Sequence, residues 1–69
     1  MRVRLNKSVL NKQDTIKLIL GDAGVTRDHH QVGFPEKNVV EVTGQRMDVI
    51  GPMVVMWLET QGYDPKEIG

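Results

Sequence analysis

His29 and His30, preceded by Asp28, are the residues best equipped for chemistry, since imidazole and carboxylate together ligate divalent cations. Adjacent positions on a strand project to opposite faces, so the two rings cannot close on one ion. The sequence contains no cysteine, so nothing completes a four-ligand set and no disulfide is available. The hydroxyls of Ser8, Thr15, Thr26, Thr43 and Thr60 stand in no nucleophile motif and at no interpretable spacing from a histidine. The carboxylates are scattered, which gives no general acid–base pair. Gly21-Asp22-Ala23-Gly24 leads into no helix carrying a Lys-Ser or Lys-Thr pair, so it reads as a helix stop and not as a phosphate loop. Val49-Ile50-Gly51-Pro52 is followed by no basic residue that would make it a nucleic-acid loop. With 69 residues there is also little room for a pocket of ~300 Å³ or more. The expectation is a protein that binds and does not catalyse, with no catalytic, cofactor-binding or metal-ligating residues.

Two groups of side chains suit binding. The first is charge. Residues 1–17 hold Arg2, Arg4, Lys7, Lys12 and Lys17 against Asp14 alone, whereas the rest of the chain holds 4 basic residues against 8 acidic ones, for a net charge of zero. A basic front can steer an anionic partner and supply phosphate contacts, or it can be ordinary solvated surface. A sheet that stacks RNA bases needs exposed aromatics, and only Phe34 is placed to serve, with Arg2, Arg4 and Lys37 near it. The second group is apolar. Residues 53–58, Met-Val-Val-Met-Trp-Leu, are six apolar side chains in a row. On a helix they wind past a full turn, so some of Met53, Val55 and Met56 must face outward. Met53, Met56 and Trp57 are of types favoured at interfaces, although burial in a core explains them equally well.

The elements that position these residues follow from local pattern. Arg2-Val3-Arg4-Leu5 alternates, giving a short strand over 2–5 with Val3 and Leu5 on one face. Asn11 with Asp14 three residues on resembles a helix start. Ile16, Ile19, Leu20 and Ala23 then make one stripe at helical period, stopped by Gly21 or, keeping Ala23 on the stripe, Gly24. Residues 32–34 and 39–43 read as a hairpin turning through Pro35-Glu36-Lys37-Asn38, with Val40 and Val42 on one side and Val39, Glu41 and Thr43 on the other. The second helix begins at Asp48 or at Pro52, a favoured first position. β-branched Val54 and Val55 would also suit a strand, but length and the ending favour helix. Gly62-Tyr63 reads as a Schellman stop with Tyr63 folding back toward Leu58, and Asp64-Pro65 forbids continuation.

The order strand–helix–strand–strand–helix over residues 1–69, a single domain, predicts an α+β, ferredoxin-like βαββα two-layer sandwich. Its fourth strand is short or missing, because only Lys66-Glu67-Ile68-Gly69 follow. A chain this short buries only about 60% of its unfolded surface, and with no disulfide available that leaves tight packing or association with a partner or a second copy. The apolar run 49–58 is too short to span a bilayer and no secretory signal follows Met1. The expected setting is therefore the cytoplasm.

The stretch Asn38-Val39-Val40-Glu41-Val42-Thr43-Gly44, then Met47-Asp48, an apolar helix and Gly62-Tyr63, resembles the second half of heavy-metal-associated domains. Strand 2–5, helix 13–23 and Gly24-Val25 can be laid on their first half. Those domains are ferredoxin-like and bind copper or zinc through two cysteines after the first strand. The corresponding loop here, Asn6-Lys7-Ser8-Val9, has none, so no metal function carries over. What the resemblance implies is a metal-free protein-interaction module. A second likeness, to small translation-start factors, lacks their ribosome-facing basic loop.

The functional expectation is a small regulatory or adaptor module that binds a protein partner or itself as a homodimer. Two surfaces are candidates: the open edge of strand 2–5, bearing Arg2 and Arg4, or the second helix at Met53, Met56 and Trp57. The alternative is nucleic-acid or ribosome binding through Arg2, Arg4, Lys7, Lys12 and Lys17.

Overall fold

A computed structural model describes residues 1–22 and 30–69. The expected stop at Gly24, the stripe position Ala23, Gly24-Val25, Asp28 and His29 lie outside the described residues. Four strands and two helices run in the order β1 (Arg2–Arg4), α1 (Gln13–Asp22), β2 (His30–Glu36), β3 (Val39–Gly44), α2 (Met47–Thr60) and β4 (Lys66–Glu67), with a 3₁₀ turn at Leu10–Lys12 leading into α1. The fold is α+β. The sheet order is β2-β3-β1-β4 and every neighbouring pair is antiparallel.

Both helices cover one face of the sheet. Ile16 and Leu20 of α1 and Val54 and Leu58 of α2 pack with Val3, Leu5, Val9, Val40, Val42 and Tyr63. The alternation of β1 puts Val3 on this face and Arg2 and Arg4 on the other. The stripe of α1 behaves as its period requires, with Ile16 and Leu20 fully buried and Ile19 half-buried.

The ending of α2 follows the sequence closely. The Gly62 N–H donates to Glu59 O at 3.0 Å and the Tyr63 N–H to Leu58 O at 3.1 Å, the paired bonds of a Schellman motif. Gly62 adopts a φ of 82°, open to glycine without a Cβ clash. Tyr63 is buried beside Leu58. The Tyr63 carbonyl accepts from Asn6 N–H at 2.9 Å and the Gly62 carbonyl from Asn6 Nδ2 at 3.2 Å. The helix end is thereby tied to the loop after β1.

Several local expectations are corrected. Asn11 is not a helix cap, since it lies inside the 3₁₀ turn, where Ser8 Oγ accepts from the Leu10 N–H at 3.3 Å. Pro35 and Glu36 belong to β2, which absorbs them through a register irregularity between Gly33 and Glu36, so the turn narrows to Lys37 and Asn38. The helix α2 starts at Met47, ahead of both expected positions, with Pro52 in its interior and Arg46, at a φ of 57°, preceding it. Val39 lies on the side away from the helices, as the alternation requires, and is as buried there as Val40.

The largest correction concerns β1. It is an inner strand: Val3 pairs with Val40 on one side and Glu67 on the other. The pairing extends past β4, with Ile68 N–H donating to Arg2 O and Arg2 N–H to Gly69 O, both at 2.9 Å. The fourth strand is thus short but present, and strand addition to an open edge at Arg2 and Arg4 is ruled out. Sheet pairing across the whole chain leaves no trace in local pattern, which is why the edge read as open.

Candidate interaction face

Each expected binding residue has a defined place. Arg2 and Arg4 lie on the sheet face opposite the helices, and each is paired, Arg2 Nε with Glu41 Oε2 and Arg4 Nη2 with Glu36 Oε2, the latter at 3.4 Å. Lys17 sits on α1, in the other layer, with its ammonium 5.9 Å from the centre of the Phe34 ring. Lys7 extends over the Tyr63 ring at 4.9 Å. Lys12 ends the 3₁₀ turn. The five basic residues are therefore split between layers, and the two arginines are already matched by carboxylates. Phe34 packs against the helix-side core and offers no stacking platform on the open sheet face.

His30, the described member of the histidine pair, holds the end of β2. Its Nε2–H donates to the Gln45 carbonyl at 2.6 Å, and Nδ1, buried, has no partner among the described residues. Among the described residues no group of three histidine or acidic side chains is placed to hold a metal ion. No helix among them is long and apolar enough to cross a membrane.

The apolar group of α2 divides as the winding argument requires. Leu58 and Val54 are fully buried and Trp57 packs half-buried against the core. Met53 and Met56 project outward, 44% and 66% exposed, with Val49 also exposed. Beside them a shallow groove of ≈ 460 Å³ is lined by Pro52, Val55, Met56, Glu59, Pro65 and Glu67. Four of these, Pro52, Val55, Met56 and Glu59, recur at i, i+3, i+4 and i+7, so α2 carries a second stripe beside its core-facing one. Across the groove from α2 stand Glu67 of the two-residue β4 and Pro65 just before it. Met53 and Met56 were legible in the sequence. Val55 was named with them as a residue the winding could turn outward; Pro52, Glu59, Pro65 and Glu67 were missed, and the second stripe was the signal that would have found the helical ones.

No protein-family model, no curated protein and no solved structure matches the chain.

Proposed function

We propose that this chain is a small, non-enzymatic regulatory or adaptor module of ferredoxin-like topology that works in the cytoplasm by docking a protein partner on the outer flank of α2. The observation that carries the reading is the exposure of Met53 and Met56 beside an apolar groove, on a helix whose other side is already satisfied by the core. Methionine adapts to an incoming surface at small cost, and a helix apolar on more than its core side exposes area that association would bury. The strand order supports the topology, with the two hairpin strands and β4 arranged around an inner β1. Docking through the basic residues finds less support, because Arg2 and Arg4 are engaged by Glu41 and Glu36 and the lysines lie elsewhere.

The test compares the wild-type chain with Met56→Lys. Light scattering across concentration reports a homodimer, and affinity capture with identification of the bound proteins reports a heterologous partner. The expected result is that Met56→Lys, folded, loses whichever association the wild type shows. If the two chains retain the same partners and the same mass, the flank of α2 is not the site. Association that collapses with rising salt and survives Met56→Lys would point instead to phosphate binding.

A further inference from the structure

We infer that the groove between α2 and β4 accepts an extended, cationic–apolar peptide segment of a partner, added as a strand beside β4. This rests on the reading of α2 as a docking face and specifies the chemistry of what docks. Two independent features point to it.

The first is the backbone at the sheet edge. Met1 and Val42 exchange both main-chain hydrogen bonds, and the Leu5 N–H donates to Asn38 O, so Met1 and Leu5 turn their polar groups toward β3. By alternation Val3 does the same, and Arg2 and Arg4 turn theirs toward β4; the bonds of Arg2 with Ile68 and Gly69 agree. Glu67 stands opposite Val3. Its N–H and C=O therefore point away from β1, outward along the edge that borders the groove. Pro65, two residues earlier, offers a carbonyl with the same orientation and no N–H. A strand added here gains a ladder pair at Glu67 and, because directly opposed residues share a face, turns alternate side chains toward α2.

The second feature is charge. Glu59 and Glu67 are the only charged residues lining the groove, and neither has a cationic partner among the described residues. The remaining lining, Pro52, Val55, Met56 and Pro65, is apolar. An occupant that satisfies both parts places one large apolar side chain on Val55 and Met56 and, two residues away on the same face, a lysine or arginine between Glu59 and Glu67. An acidic segment is repelled, and a uniformly apolar one leaves the carboxylates unmatched.

The experiment is an NMR titration of the labelled chain with two synthetic peptides, acetyl-Thr-Leu-Thr-Lys-Thr-amide and the same peptide with glutamate for lysine. The lysine peptide is expected to shift the amides of Val55, Met56, Glu59 and Glu67 in a saturable manner, and the glutamate peptide is expected to bind at least about tenfold more weakly. The double variant Glu59→Gln with Glu67→Gln, whose unchanged spectral dispersion reports an intact fold, should bring the two peptides to similar affinity. Equal binding of both peptides to the wild type overturns the charge rule while leaving α2 as an apolar docking face. Absence of saturable shifts at Glu67, in a chain whose association is still broken by Met56→Lys, overturns strand addition and spares the broader reading. Shifts confined to Arg2 and Arg4 overturn both.

Discussion

Arg4 and Glu36 meet over Val39. Arg4 pairs with Val39 across β1 and β3, and Val39 pairs with Glu36 across β3 and β2, so the three share one row on the face away from the helices. The Arg4 guanidinium and Glu36 carboxylate reach to within 3.4 Å, and Val39 beneath them is fully buried. The aliphatic stems of the pair cover the valine while the charged ends stay wet. Because both side chains are about half exposed, the ion pair itself contributes little. Arg4→Ala should therefore cost about 1 kcal/mol through uncovering Val39, with a urea midpoint shift that is the same at low and high salt. Glu36→Gln, which keeps the cover, should cost under about 0.5 kcal/mol. A strong salt dependence in Arg4→Ala would reverse this assignment.

Gly62 is a purely conformational site. A Cβ there would meet nothing within 4 Å, yet φ is +82°. Gly62→Ala should lose about 1–2 kcal/mol from the left-handed backbone alone, lowering the thermal midpoint by several degrees with an unchanged denaturant slope. A neutral result would mean that the Schellman end is not retained.

Gly51 presents the opposite case. It is buried in α2, and a Cβ there would stand 3.1 Å from Met1 Sδ. Met1 is a flexible neighbour, and alanine is the better helix former by about 1 kcal/mol. Gly51→Ala should fall within about 1 kcal/mol of wild type, whereas Gly51→Leu should lose about 2 kcal/mol or more by overpacking. Urea titration of the two variants separates space from propensity.

Pro52 interrupts the hydrogen-bond ladder of α2 beyond its first turn. Pro52→Ala returns a donor facing the Asp48 carbonyl. It should stabilise the chain by about 1–2 kcal/mol, the interior penalty of ~3 kcal/mol being offset in part by the greater freedom of the unfolded alanine chain. Failure to gain would mean that α2 has adapted its carbonyl to water at that point.

Met56 and Leu58, two residues apart, should respond in opposite ways. Leu58 is fully buried and Met56 is 66% exposed. Leu58→Ala should cost about 2–5 kcal/mol, and Met56→Lys should stay within about 0.5 kcal/mol. Trp57 fluorescence during unfolding measures both. A large loss in Met56→Lys would place that side chain in the core and remove it from the docking face.

Local signals in the sequence reached as far as local physics does. The Ile16–Leu20 stripe, the hairpin strands, the helix ahead of Gly62 and the stop at Gly62-Tyr63 all rest on periodicity or on one residue's backbone freedom. Pro52 misled because its preference for a first helical turn is statistical and tertiary burial of Gly51 and Val54 outweighed it. Asn11 misled because Ser8 met the free N–H of Leu10 first. The partners of Arg2 and Arg4 and the groove beside β4 depend on which strands lie side by side. Residues far apart in sequence decide that, and no window on the chain contains both.

The central position of β1 also bears on how the chain is made. β1 precedes both of its neighbours in the chain, so it waits for β3 to cover one flank and for residues 66–69 to cover the other. Until both are in place Val3 and Leu5 lack their neighbours, and the alternating Arg2 and Arg4 are charged residues of the kind that discourage edge-to-edge association. When the sheet closes, the same two arginines exchange solvent for the carboxylates of Glu41 and Glu36.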